Sequence, residues 1–492
     1  MFPEVCTVLL YKHPYVVYLF RAPMAYDYQS IAPSYNNNTK PVFSDDDSTA
    51  SVSDLGKHSS SGDIGSSRTK WYGTSLVLLS DVMGTGILGL PFVAVTLGWA
   101  TTMIAIPLFA IFAAYSGHQL KTVKIAHPGI SSYAEAGREF VGPRFGTFTK
   151  ACMLLNWSSL GIYFLIATAD GIEAVYDQGF LNCNLNRTII AAILLVVPAQ
   201  SRDFHTISEY LSLPSTLAII VTIVIIIVTL VENLKEDDDS TASSSSFGEN
   251  TIVGVQQGTD IFTFLQSLSS IVFAFQGQSI FMELMSEMKR PSEFTKSSNL
   301  AYAIMGFLYA IIVVIAYGIE GENVEDFLPA SVSPGRVKTT IGVLILFHIT
   351  VAYVLAVQPF HFWVHSIAFP KTFNSASTKG QLHWLLVTGG CIVCACVIAN
   401  VIPFFSDLQG LIGSLLGAPI VFGWPSLYYL LMNKKESGGS WTETFKSIGF
   451  VNSSVSMIFL CILTPLFCVL GTWGGIVGII DDLHSSGSPF HC

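Results

Sequence analysis

The sequence predicts an all-α integral membrane protein with eleven transmembrane helices. Only 12% of the 492 residues are charged and 51% are hydrophobic, whereas soluble domains carry roughly 25% charged residues. The mean hydropathy is +0.55, and apolar runs of about 20 residues, the length that crosses a bilayer core, recur along the chain. Membrane lipid is therefore the predicted environment. The sequence has no basic run of the kind that binds nucleic acid, so nucleic acid is not a predicted partner.

Each predicted span is a predominantly apolar run of membrane-crossing length. The eleven runs cover residues 73–98, 100–121, 149–176, 187–201, 208–231, 260–284, 298–319, 338–366, 382–403, 407–432 and 449–480. Residues 1–70 are predicted to form a disordered cytoplasmic tail, because Ser, Asn, Asp and Gly dominate its second half. Residues 71–482 form the predicted membrane domain, and residues 483–492 form a short outer tail.

Lys and Arg residues determine the predicted orientation through the positive-inside rule. With a cytoplasmic N-terminus, the inner loops hold fourteen Lys and Arg residues and the outer loops hold four. Eleven spans then place the C-terminus outside. The outer loops collect carboxylates, notably at residues 236–239 and 320–326. Such loops suit an acidic lumen, which favours a vacuolar or lysosomal membrane over the plasma membrane.

The first span is interrupted near its middle. Asp81 lies about 15 Å into a core of roughly 30 Å, and Gly84-Thr85-Gly86 and Pro91 follow it. Broken backbone at this depth is tolerated where it faces protein or a water-filled cavity, and an ionisable residue there marks a functional site. The N–H groups freed at the break suit a carboxylate, and the carbonyls on its other side suit an ammonium group. The predicted contacts are Gly84, Thr85, Gly86 and Ile87.

A matching interruption lies in the sixth span, where Gln276-Gly277-Gln278 follows Phe273-Ala274-Phe275. Paired broken helices in corresponding positions of two halves indicate a transporter site, with spans one to five and six to ten as inverted repeats. Glycine in a membrane helix also serves close packing, which is the alternative for either cluster alone. Together they predict a site for a zwitterion such as an amino acid, with Phe273, Phe275, Gln276 and Gln278 contributing.

Several stretches resemble the amino acid/auxin permease family, which carries the transmembrane amino-acid transporter domain. They are Gly84 to Pro91 with Leu97-Gly98-Trp99, Ser132 to Gly137 with Val141-Gly142, Phe273 to Phe294, Gln358-Pro359, and Ile398 to Pro403 with Gly410 to Gly413. The likeness covers roughly residues 71 to 480. It implies a LeuT-type fold of five plus five inverted spans and one more. It also implies secondary transport of amino acids driven by H⁺ or Na⁺.

Two departures from the family pattern bear on the coupling ion. Sodium-coupled members commonly carry Asn four residues before the first glycine of the motif, where this chain has Ser80. Some members have an outer disulfide between the loops after spans three and five, but residues 232–258 contain no cysteine. Both departures favour H⁺ over Na⁺.

Single residues in other spans complete the predicted site. Asp81 is interpreted as a carboxylate that takes a proton or steadies a cation, and the alternative is a structural helix cap. The Tyr163 hydroxyl is a candidate contact for a substrate carboxylate, and Thr350 adds a candidate oxygen for a cation; simple packing is the alternative for both. Ser80, Asp81 and Thr350 are therefore the predicted ion-coupling residues.

No cofactor, metal site or catalytic residue is predicted. Cys391, Cys394 and Cys396 do not share one helix face, and no nucleophile–base pair occurs in the spans. We therefore expect a non-enzymatic transporter of a neutral amino acid that works by alternating access, with H⁺ as the coupling ion. The alternatives are a Na⁺-coupled neutral amino-acid transporter and an amino-acid sensor that signals through its N-terminal tail. The oligomeric state is not predicted.

Overall fold

A computed structural model describes residues 69–176, 178–202, 210–239, 247–248, 251–373, 375, 377–402 and 405–486. The predicted tail up to residue 68 and the end of the predicted outer tail lie outside this part. The described residues are helical, with one isolated β-bridge between Thr69 and Met288. The predicted all-α architecture is confirmed for them.

The helices of the described residues are numbered in chain order. They are α1 (Trp71–Val82), α2 (Leu90–Ala126), α3 (Tyr133–Phe140), α4 (Pro143–Val175), α5 (Asn184–Ala199), α6 (Ser212–Asp239), α7 (Ile261–Ala274), α8 (Phe281–Glu287), α9 (Phe294–Glu320), α10 (Arg336–Ala368), α11 (Thr378–Val401), α12 (Phe405–Glu436), α13 (Trp441–Ile448) and α14 (Phe450–His484). The last of these continues as helix to Ser486, four residues beyond the predicted end of the membrane domain.

Eight helical segments among the described residues are long and apolar enough to cross a membrane, and α5 and α7 are shorter apolar helices. Helix is present in each of the eleven predicted ranges. The predicted fourth span corresponds to α5, and the predicted sixth span corresponds to α7 with α8. The count of eleven crossings stays a prediction.

The first two predicted spans are joined without a loop, and Gly98 makes the turn between them. Its φ of 71° lies inside α2, which is otherwise helical. A Cβ at this position would lie 1.9 Å from the carbonyl oxygen of Gly254, so only glycine fits. The freed N–H groups of Trp99 and Ala100 donate to the carbonyls of Ile252 and Val253 at 2.9 Å. The segment before α7 thus satisfies the backbone N–H groups at the kink within α2.

Small residues allow the long helices to approach closely. A Cβ on Gly342 of α10 would lie 3.0 Å from the carbonyl oxygen of Gly171 on α4. A Cβ on Gly117 of α2 would lie 2.8 Å from the Oγ of Ser298 on α9. Close backbone contact of this kind is how membrane helices gain packing energy in the absence of a hydrophobic driving force. These contacts tie α4 to α10 and α2 to α9.

Candidate binding site at two broken helices

The first break separates α1 from a short 3₁₀ segment, Thr85–Gly89. The helix ends when the Met83 N–H donates to the Leu79 carbonyl at 3.0 Å, and Gly84 then takes φ −78° and ψ −144°. No side chain caps the 3₁₀ segment, so its first N–H groups are candidate donors to a ligand. The predicted interruption at Gly84-Thr85-Gly86 therefore lies where the sequence analysis expects it.

The second break lies between α7 and a 3₁₀ turn, Gln278–Ile280. Two tyrosines of α9 satisfy the carbonyls that the break releases. Tyr302 Oη donates to the Phe275 carbonyl at 3.1 Å, and Tyr309 Oη donates to the Ala274 carbonyl at 3.0 Å. The Tyr309 hydroxyl also lies 3.5 Å from the Val82 carbonyl of the first break. Helix α9 thus contributes hydrogen bonds to the backbone at both breaks.

The two breaks are in direct contact. A Cβ on Gly86 would lie 3.1 Å from the Cα of Ala274, and a Cβ on Gly277 would lie 2.4 Å from Cγ2 of Val82. Each break therefore presents a glycine to the other. Side chains at these two positions would push the broken helices apart.

A small cavity lies where the breaks meet. It is lined by Asp81, Val82, Gly84, Thr85, Gly86, Trp157, Leu160, Tyr163, Phe164, Phe273, Gln276, Ser279, Ile280 and Ala356. A volume of about 30 Å³ is open to the centre of a water molecule, and roughly 10–15 Å³ on this measure holds one water. The cavity in this conformation admits a water or two but not an amino acid.

Several buried polar atoms in the cavity wall have no hydrogen-bond partner. Among the described residues they include Asp81 Oδ1, Thr85 Oγ1, Trp157 Nε1 and Gln276 Oε1, with Asn156 Nδ2 directly behind. Gln276 Nε2 donates to Asn156 Oδ1 at 2.6 Å, so the remaining atoms of both amides are left free. Each unpaired buried polar group costs about 1–3 kcal/mol. Such a group in a native protein calls for an explanation, and a polar ligand is one.

An aromatic stack closes one side of the cavity. The Tyr163 ring lies 4.7 Å from Phe273 and 4.8 Å from Phe405, and Phe405 lies 5.4 Å from Phe327. Tyr163 Oη donates to Gln409 Oε1 at 3.3 Å. Gln409 Nε2 in turn donates to the carbonyls of Gly86 at 3.3 Å and Ser270 at 3.1 Å. The stack and Gln409 together hold α4 and α12 against both breaks.

The structure gathers some of the predicted site residues and separates others. Asp81, Gly84, Thr85, Gly86, Tyr163, Phe273 and Gln276 line the cavity. Gln278 is turned away, and its Nε2 donates to Ser116 Oγ at 3.1 Å and Tyr302 Oη at 3.2 Å. Phe275 packs on Tyr302 and Tyr309, and Ile87 is buried in the core.

The remaining two predicted residues stand apart from the cavity wall. Ser80 is fully buried in α1, and its hydroxyl has no partner among the described residues. Thr350 Oγ1 donates to the Leu346 carbonyl of its own helix at 2.7 Å. Its lone pairs stay available, but it is not part of the cavity lining.

Sequence reasoning missed several residues of this region. Trp157 and Asn156 on α4 and Gln409 on α12 bring polar groups to the breaks. Their polarity within otherwise apolar spans was the available signal. Asn156 and Trp157 lie within two helical turns of Tyr163, and Gln409 directly precedes Gly410. No group of three metal-ligating side chains occurs in the described part of the chain.

Outside the membrane helices, the pKa values of Glu139 and Asp326 are shifted from the usual range of carboxylates. The ammonium of Lys435 lies 2.9 Å from Glu139 and lowers the pKa of that exposed carboxylate. Burial raises the pKa of Asp326 in the connection between α9 and α10, although its backbone hydrogen bonds oppose the shift. Asp326 adjoins Phe327 of the aromatic stack.

Comparisons with known proteins identify the family of this chain. The family model described as "Transmembrane amino acid transporter protein" matches residues 67–467. The "N amino acid transport system protein" of Neurospora crassa is 24% identical over 440 residues, which cover 86% of this chain and 88% of that protein. The "Amino acid transporter AVT1J" of Arabidopsis thaliana is 23% identical over 392 residues, which cover 77% of this chain and 86% of that protein.

A solved structure confirms the LeuT-type fold class. The chain is similar to the inward-facing conformation of Mhp1, with a TM-score of 0.52 and 13% sequence identity over 85% of this chain and 91% of that one. The family match covers most of the sequence, and the fold match is independent of it. The chain is a multi-pass membrane protein that belongs to the transmembrane amino acid transporter family.

Proposed function

We propose that this protein is a secondary active symporter that moves a neutral amino acid together with H⁺ by alternating access. The observation that carries the proposal is the set of unpaired buried polar atoms where the two broken helices meet. Paired broken helices place substrate sites at mid-membrane in transporters with inverted repeats. The substrate is expected in the space between them.

The unpaired atoms suit a zwitterion. The free N–H groups at the start of the 3₁₀ segment and Trp157 Nε1 are donors, and they suit the carboxylate. Asp81 Oδ1 and Gln276 Oε1 are acceptors, and they suit the ammonium group. A ligand with one charge of each sign would satisfy both sets.

The rest of the wall supports a neutral side chain. Leu160, Phe164, Phe273 and Ile280 provide apolar surface, and Asp81 is the one charged residue of the lining. The ammonium group of the substrate would form an ion pair with the Asp81 carboxylate. A second cationic group would then have no counter-charge, so a neutral amino acid fits best.

The cavity is too small for an amino acid, so this conformation is a closed state. Substrate can enter only if the site opens, as alternating access requires. The aromatic stack formed by Tyr163, Phe273, Phe405 and Phe327 is the proposed barrier on the outer side. On the inner side, the Thr69 N–H donates to the Glu287 carbonyl at 3.1 Å, and the Lys289 N–H donates to the Thr69 carbonyl at 2.9 Å. These bonds join the start of α1 to the end of α8. We propose that the two broken helices move as one unit against α4 and α10.

The coupling ion is proposed to be H⁺, with Asp81 as the carboxylate that pairs with the substrate ammonium. Ser80 and Thr350 would offer two hydroxyl oxygens, fewer than the full oxygen shell that a hard cation prefers, and neither residue is part of the cavity lining. A cytoplasmic N-terminus and a vacuolar or lysosomal membrane are proposed from the loop charges. Membership of the transmembrane amino acid transporter family supports an amino acid as the substrate. No partner protein is proposed.

Ligand-induced thermal stabilisation of the purified protein tests the binding site. We expect a neutral amino acid to raise the melting temperature. Its amide, which lacks the carboxylate, and its N-acetyl derivative, which lacks the ammonium, should have no effect. Equal stabilisation by all three compounds would exclude a site that recognises both the carboxylate and the ammonium group.

A further inference from the structure

A proton symporter needs a base that is still free when substrate is bound, and this inference rests on the proposed function. If the Asp81 carboxylate pairs with the substrate ammonium, it cannot hold the transported proton in the same complex. Exchange of a proton for an ammonium on one carboxylate would give antiport instead. A second buried base near the breaks is therefore required.

His348 of α10 has the geometry of such a base. The side chain is 0% exposed. Its Nδ1 lies 2.9 Å from Ser215 Oγ and 3.1 Å from the Ser215 carbonyl oxygen on α6. A carbonyl oxygen only accepts hydrogen bonds, so Nδ1 carries the hydrogen and Nε2 is the bare acceptor. Nε2 is buried without a partner among the described residues.

The bare nitrogen is directed toward the first break. A Cβ at Gly84 would lie 3.9 Å from His348 Nε2 and 3.6 Å from the Asp81 carbonyl oxygen. That carbonyl belongs to the last turn of α1, where the helix dipole places partial negative charge. An imidazolium at this position would face the negative end of α1. Protonation would therefore strengthen the contact of α10 and α6 with the broken helix.

No cationic side chain competes for this position in the described part of the chain. The helices packed against α10 are α1, α4, α5, α6 and α11. The titratable side chains on these helices include Asp81 at the end of α1, Cys152 and Tyr163 on α4, Tyr353 and His361 on α10 itself, and Cys391, Cys394 and Cys396 on α11. Arg144 and Lys150 lie near the N-terminal end of α4, Asp170 and Glu173 lie near its C-terminal end, and Arg336 and Lys338 begin α10. The charged residues Arg187, Glu232 and Lys379 lie near the ends of α5, α6 and α11.

We propose that His348 Nε2 holds the transported proton at the junction of α1, α6 and α10 while substrate occupies Asp81. A proton from outer water forms the Nε2–H bond before closure, and inner water accepts that proton after the inner side opens. The site favours H⁺ over Na⁺. A single imidazole nitrogen binds a proton, whereas a hard cation such as Na⁺ prefers several oxygen ligands.

His361 offers a matched control on the same helix. It is 2% exposed, and its Nε2 also has no partner among the described residues. Its ring lies 6.2 Å from Trp384 on α11, and it is thirteen residues, or about 20 Å, along α10 from His348. Substitution of His361 therefore removes a buried histidine from α10 without touching the proposed proton site.

The test uses the full-length protein in proteoliposomes and two assays. The first measures accumulation of a labelled neutral amino acid driven by a pH gradient. The second measures exchange of internal for external amino acid at equal pH, which needs no net proton movement. We expect His348→Gln to lose accumulation and to retain exchange within about twofold of the wild type. His361→Gln should behave as the wild type in both assays.

Wild-type accumulation by His348→Gln would overturn the inference, as would loss of exchange together with accumulation. Absence of accumulation by the wild type itself would instead overturn the proposed function. If His348→Gln is not monodisperse, Ser215→Ala replaces it, because the Ser215 carbonyl still holds Nδ1. The pH at half-maximal uptake should then move, and an unmoved value would overturn the inference.

Discussion

Gly86 and Ala274 bring the two broken helices into direct backbone contact, since a Cβ on Gly86 would lie 3.1 Å from the Cα of Ala274. The neighbour at this position is backbone, which cannot move aside as a side chain can. The contact closes the cavity on one side and sets the distance between the two half-helix ends. The geometry of the proposed substrate site therefore depends on the absence of one methyl group.

Gly86→Ala is expected to lower the rate of amino-acid uptake several-fold while the protein still folds. The added methyl group forces the breaks apart by a few tenths of an ångström and disturbs the closed state. Gly389→Ala is the matched control, because a Cβ at that helical glycine meets nothing within 4 Å. Uptake measured in the same vesicles checks the prediction, and equal rates for both variants would contradict it.

Trp157→Phe should weaken amino-acid binding roughly tenfold or more. The substitution keeps an aromatic side chain but removes the buried Nε1 donor that we assign to the substrate carboxylate. A hydrogen bond to a charged group contributes about 1.5–3 kcal/mol. Thermal-shift titration of the purified variant gives the dissociation constant. Trp441→Phe in α13, outside the cavity, is the control. An unchanged constant for Trp157→Phe would remove this indole from the site.

Gln409→Leu should lower the thermal stability of the protein. The variant leaves the carbonyls of Gly86 and Ser270 and the Tyr163 hydroxyl without their partner, and about 1–3 kcal/mol is expected for each group that stays buried and unpaired. Melting in detergent measures the effect. Gln381→Leu changes an exposed glutamine and should melt as the wild type. If the two variants melt alike, Gln409 does not hold the breaks.

Asp326→Asn should stabilise the protein in mildly alkaline buffer and leave it unchanged in acid. Burial raises the pKa of Asp326 above the usual value of an aspartate, so the folded protein binds a proton that the unfolded chain has already released. Stability is then lost as the pH rises from the unfolded pKa through the folded pKa. The asparagine cannot ionise and avoids this loss.

Melting curves at several pH values check the Asp326 prediction. Glu322→Gln, which changes an exposed carboxylate in the same connection, should show the wild-type dependence on pH. A stability difference between Asp326→Asn and the wild type that persists unchanged in acid would show that ionisation is not its cause.

The breaks were predictable from sequence because glycine and a buried carboxylate are local signals. Gly84-Thr85-Gly86 and Gln276-Gly277-Gln278 both disrupt apolar runs, and the structure breaks both helices there. The direction of each side chain around a break was not predictable in the same way. Gln276 faces the cavity, whereas Gln278, two residues later, is held by Ser116 and Tyr302.

Residues on neighbouring helices were harder to find, because their roles depend on which face of a helix meets the break. Tyr163 was identified from its depth, but Trp157 on the same helix was missed. His348 appeared in the sequence as one of several histidines in an apolar span. Only the bond from its Nδ1 to Ser215 and the position of Gly84 show where its free nitrogen is directed.

The most direct test of the proposed transport is uptake of a labelled neutral amino acid by the purified protein in vesicles with an imposed pH gradient and no Na⁺. We predict accumulation above the external concentration, loss of that accumulation when a protonophore collapses the gradient, and no increase when Na⁺ is added. Uptake that never exceeds equilibrium for any amino acid, or that requires Na⁺, would contradict H⁺-coupled transport by this protein.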